Sequence, residues 1–173
     1  MRIKRRIAVC LCFFVLCAGT VNLSGCTAGI RAADLTEGIK AKPVSGRAAD
    51  DAFKNSSADF AIRLFQKTRD DSKNSLISPL SVMLALSMTA NGAKGETLAQ
   101  MEALLGGDIP METLNEYLYS YIKALPSEKT AKLNIANSIW VRDNGFTAEK
   151  AFLQKNADYF DAAVYKSAFD VKT

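Results

Sequence analysis

The chain has 173 residues, of which 49% are hydrophobic, 23% charged and 9% aromatic; this is ordinary globular composition, fits one domain and excludes a disordered tail or a repeat fibre. It contains no histidine, which removes Ser-His-Asp triads, Cys-His dyads, imidazole zinc sites and histidine pH switches. The net charge of +4 gives no sign of a nucleic-acid partner, because setting aside Arg2, Lys4, Arg5 and Arg6 leaves 18 basic residues against 18 acidic ones.

That basic head precedes an apolar run from Ile7 to Ala18. The run is short for a bilayer span and lacks a charged flank on its far side, so residues 1–25 read as an export signal rather than a permanent anchor. Leu23-Ser24-Gly25-Cys26 follows directly and resembles the lipobox of bacterial lipoproteins. The resemblance implies cleavage before Cys26, acylation of its thiol, and a protein exported and held on the outward face of a bacterial cell envelope. The other cysteines, Cys10, Cys12 and Cys17, lie in the segment to be removed. Cys26 therefore has no disulfide partner in the mature chain. Residues 26–53, rich in Ala, Gly, Thr, Lys and Asp with Pro43 and Gly46, read as a flexible tether; a small pro-segment is the alternative.

From residue 54 the pattern becomes periodic. Ser56 to Asp59 looks like a capping box, and Phe60, Ala61, Leu64 and Phe65 make one apolar face, which predicts a helix of roughly 13 residues. Asn74–Ile77, just before a proline, reads as a brief strand. Ser78-Pro79 is an N-cap followed by proline at the first helical position. The helix it opens, Leu80–Ala90, carries no charge and is apolar nearly all round, so it belongs at the centre of a larger body. Asn91-Gly92 ends it, with Gly92 placed for a left-handed turn. Leu98, Met101, Leu104 and Leu105 mark an amphipathic helix closed by Gly106-Gly107. Leu114, Leu118, Ile122 and Leu125 mark another between Pro110 and Pro126.

The period then changes to two. Over Leu133–Arg142, Leu133, Ile135, Ile139 and Val141 share one face and Ala136 and Trp140 the other, which predicts a strand covered on both sides. Thr147 with Glu149 starts a further helix that turns Phe152, Tyr159 and Phe160 inward, and Ala162–Tyr165 reads as a second strand. Two strands alone do not make a stable sheet, so the α+β order reads as the opening portion of a longer fold.

Phe60-Ala-Ile-Arg-Leu-Phe65, Asn74-Ser-Leu-Ile-Ser-Pro-Leu-Ser81, Asn91-Gly-Ala-Lys-Gly-Glu-Thr97 with Gln100-Met101, Ala136-Asn-Ser-Ile-Trp-Val141 and Phe160-Asp-Ala-Ala-Val-Tyr165 occur in series. Together they resemble the N-terminal third of a serpin. The resemblance implies a serpin-like α+β fold, with helices A–E, strand 6 of sheet B and strands 2 and 1 of sheet A built from residues 54–173, incomplete relative to the whole. It also implies an inhibitor, not an enzyme. Its partner is a serine protease, in some members a cysteine protease; the chain is monomeric and needs no cofactor. Cleavage of a reactive loop drives that loop into sheet A as a new strand and traps the protease. By resemblance Ser78, Ser81 and Asn137 fall in the shutter region where the sheet parts. Taken without it, they read as an N-cap, a helix-interior serine and a strand amide. The reactive loop and its hinge are not among these residues, so the chain reads as truncated. A non-inhibitory serpin-like binding module and an unrelated helical surface lipoprotein are the alternatives. Asp59, Glu96 and Glu149 fall on polar helix ends or faces, where solvated or dipole-stabilising roles are the default, and neither they nor Cys26 form a metal constellation.

Overall fold

In the computed structural model, residues 32–107, 109–125 and 133–169 are described. The elements run β1 (Ala32–Asp34), α1 (Asp51–Thr68), α2 (Pro79–Ala90), α3 (Gly95–Gly106), α4 (Met111–Ala124), β2 (Asn137–Arg142), α5 (Lys150–Phe160) and β3 (Ala162–Ser167). Helix α2 is the hub, packing against α1, α3, α4 and α5, while α5 lies on β3. Met83, Leu84, Met88 and Ala90 of α2 join Phe60, Leu105, Leu114, Leu118 and Phe160 in one core. The expected arrangement, helices with a small sheet, is the one observed.

The sheet order is β1-β3-β2. β2 and β3 pair in parallel, Ile139 opposite Val164 and Trp140 opposite Tyr165, with α5 as the crossover that a parallel pair requires. β1 pairs antiparallel with the other edge of β3, Ala32 opposite Ser167. Paired residues share a face, so Ile139, Val164 and Ala162 point to the helices. Trp140 and Tyr165 meet on the other face with centroids 4.7 Å apart and ring planes tilted by 33°.

Several expectations are corrected. Residues 32–50 are not a free tether where they are described. Leu35 N–H donates to the Val164 carbonyl at 2.8 Å and Arg47 N–H to the Glu116 carbonyl at 3.2 Å. Lys42 N–H donates to Asp158 at 2.7 Å, and Gln154 donates to the Lys40 carbonyl at 3.0 Å. An extended strap whose bonds go to distant elements leaves no period in its own sequence. Gly46 is needed for its approach to α4: a Cβ there would lie 2.1 Å from Ser120 Oγ.

Helix α1 begins at Asp51 and spans 18 residues, capped by Asp50, whose carboxylate accepts from Phe53 N–H. Ser56 is interior and donates to the Phe53 carbonyl at 3.1 Å. The earlier start wins because it puts Phe53 seven positions before Phe60 on the same face, where both are buried. Asn74–Ile77 forms no strand. A strand needs an edge to pair with; among the described residues no strand pairs with this segment, and Leu76 is 98% exposed. Gly92 has no left-handed φ. Its requirement is space, since a Cβ would lie 3.0 Å from Phe152 Cδ2. The second strand runs on to Ser167, while the first is confined to Asn137–Arg142 at the sheet edge, with Leu133 55% and Trp140 41% exposed. Its outward face is therefore uncovered among the described residues.

Candidate functional site

The head of α2 is where the sequence concentrates hydroxyls. Ser78 caps the helix, its Oγ accepting from Ser81 N–H at 3.4 Å, and Pro79 fixes the first turn with a φ suited to a helix. The two side chains then bond to each other, Ser78 Oγ to Ser81 Oγ at 2.8 Å. Both residues are exposed, as are Ala85 and Thr89 one and two turns on. Positions 81, 85 and 89 form a stripe along the helix, so the charge-free helix presents small side chains on the face it does not bury.

Asn137 lies elsewhere. It is the first residue of β2, paired with Ala162, and its amide donates to the Phe160 carbonyl at 2.9 Å. There it ties the start of β2 to the end of α5, where Asp161 turns left-handed at φ 49° into β3. Thus Ser78 and Ser81 are brought together as one hydroxyl pair, while Asn137 bonds at the α5–β3 corner. Cys26 lies outside the described residues.

A second polar arrangement had no sequence signal. The Tyr117 hydroxyl donates to Asp50, and Arg47 Nε meets Glu116 at 3.1 Å. The Arg47 guanidinium sits 5.5 Å over the Tyr117 ring, and that ring stacks on Phe53 at 4.9 Å. The Phe53 backbone N–H and then the Tyr117 hydroxyl hold the Asp50 carboxyl below its ordinary range. The same hydrogen bond to Asp50 holds the Tyr117 phenol above its own. Its members are spread from 47 to 117, and only the fold aligns them. Burial, followed by nearby carboxylates, raises the Tyr159 phenol. Among the described residues no group of three histidine, cysteine, aspartate or glutamate side chains could hold a metal ion.

Four helices around an uncharged central one, with a parallel strand pair at the flank, make an α+β arrangement. Residues 55–173 match the family described as Serpin (serine protease inhibitor). The chain belongs to the serpin family. It is 35% identical over 114 residues to neuroserpin of Homo sapiens, covering 62% of this chain and 27% of that protein. It is 30% identical over 115 residues to serpin I2 of Homo sapiens, covering 61% and 27%. Among solved structures, a thermophilic serpin, tengpin, in its native state superposes with a TM-score of 0.77 at 57% identity, covering 82% of this chain and 37% of that one. A loop C-sheet serpin polymer superposes with a TM-score of 0.73 at 59% identity, covering 77% and 36%. The chain spans about a quarter of the length of the curated relatives it matches.

Proposed function

We propose that this chain is the N-terminal portion of an inhibitory serpin directed at serine-type proteases, with cysteine proteases as a secondary class. It is exported and held on the outward face of a cell envelope by a lipid on Cys26. The observation that supports inhibition is the exposed Ser81, Ala85 and Thr89 stripe of α2. A sheet that must open to admit a new strand needs a support it can slide over. Uncharged small side chains suit that role, because each neutral hydrogen bond broken there costs only about 1 kcal/mol net. Ser78, Ser81 and Asn137 then serve as shutter residues whose bonds reform as the sheet parts.

The test is a polypeptide that carries this chain together with the remaining sheet and loop of the fold, incubated with a panel of serine and cysteine proteases. An adduct that survives denaturing electrophoresis is expected, and simple digestion by every protease would overturn inhibition. The anchor is tested separately. Cys26→Ser should shift the protein from the membrane fraction to the soluble one, and an unchanged partition refutes lipidation.

A further inference from the structure

Helices α1, α2 and α4 leave between them a cleft of about 360 Å³, within the size range of small-molecule sites. Its walls are nearly all apolar. Phe53, Met83 and Leu118, each at most 4% exposed, line it, and Tyr121 stands at its edge 42% exposed. Two α1 residues bring polarity to it, Lys54 and Ser57, which at a spacing of three stand side by side on the helix.

Neither is committed. Lys54 Nζ has an ion pair with Asp51 at 3.2 Å, but the two side chains are 62% and 92% exposed, and such a pair contributes little and exchanges readily. Ser57 Oγ is buried and has no hydrogen-bond partner among the described residues. A helical serine ordinarily turns back on the carbonyl one turn before it. For Ser57 that is the Phe53 carbonyl, which accepts the Ser57 N–H in the helical ladder and the Ser56 hydroxyl at 3.1 Å. Both its lone pairs are used, so the Ser57 hydroxyl must find a partner elsewhere, and Ser57 is one of the residues that line the cleft.

The geometry points to a binding site for a small amphiphilic monocarboxylate with an unbranched apolar tail. The carboxylate accepts from Ser57 Oγ and sits beside Lys54 Nζ; the tail covers Phe53, Met83 and Leu118. The site is independent of protease inhibition and uses none of the residues assigned to it.

The test is calorimetric titration of the 173-residue chain with decanoate below its micelle threshold, with decan-1-ol and decyltrimethylammonium as probes of the headgroup. Saturable 1:1 binding is expected, with a Kd on the order of 0.1 mM. Ser57→Ala should weaken it about tenfold and Lys54→Met about threefold. The alcohol and the cation should bind more weakly than decanoate, and the decanoate methyl should show contacts to the Met83 methyl by nuclear Overhauser effect. Ser57→Ala and Lys54→Met leave every packed residue in place, so their far-UV spectra should match wild type. Absence of saturable binding, equal affinity for the alcohol, or decanoate affinity unchanged in both variants overturns the assignment.

Discussion

Phe53 lies just outside the residues whose periodicity reads as a folded body, yet the structure buries its ring at 4% exposure. It rests flat on Tyr117, with centroids 4.9 Å apart and planes 16° from parallel. Phe53→Ala removes the ring and leaves a void against Tyr117 and the core. Buried phenylalanine truncations cost about 3–5 kcal/mol, and the lost stack contributes about 0.5–1.5 kcal/mol, so about 4 kcal/mol is expected. For a body of this size that lowers the melting temperature by roughly 15 °C. If residues 51–53 were solvated tether, the change would stay within about 0.5 kcal/mol, or about 2 °C. The assay is thermal unfolding of the chain followed by far-UV circular dichroism, with hydrogen exchange read at the amides of 53–57. Phe53→Leu should recover most of the loss, because a leucine refills much of the volume. A Phe53→Ala melting temperature within 2 °C of wild type refutes the placement of the α1 start in the core.

Gly92→Val should destabilise by about 1–3 kcal/mol through crowding against Phe152; Phe152→Leu in the same chain should return part of this, as chemical denaturation will show. Ser78→Ala should cost about 1 kcal/mol through loss of the α2 cap, whereas Ser81→Ala should cost only a few tenths, measured by urea midpoints. The depressed Asp50 pKa contributes stability that is present above the unfolded value near 4 and is lost as pH falls through the lower folded value. The raised Tyr117 pKa contributes stability present below about 10 and lost as pH rises through the higher folded value. Asp50→Asn should therefore flatten both the acid and the alkaline limb of a stability profile, and an unchanged acid limb refutes the Asp50 assignment.

What was legible in the sequence was whatever carries its cause locally. Ser78-Pro79 holds a cap and a first turn in two adjacent residues, and α2 starts there. The three later helices and β3 declare themselves by spacing. What was not legible depends on partners far along the chain. β1 is three residues long and exists only because the β3 edge is there to receive it. Asp50 outranks Ser56 as a cap because Tyr117, 67 positions on, donates to it. Gly92 looks like a turn glycine until Phe152 is seen beside it. The Ser57 hydroxyl is distinguished from Ser56 only by which of them reaches the Phe53 carbonyl. The shutter residues could be named by resemblance, but spacing alone gave no reason to prefer a function over a cap, an interior hydroxyl and a strand amide.

The pairing of β1 with β3 joins positions 32 and 167, and this orders assembly in time. At about 5–20 residues per second, β1 leaves the ribosome roughly 7–27 s before its partner strand has been made. The helices nucleate on near neighbours in microseconds to milliseconds, so they are in place long before. β1 is thus made early yet is among the last elements to dock, and until then the outer rim of β3 stays open to solvent and to any competing strand.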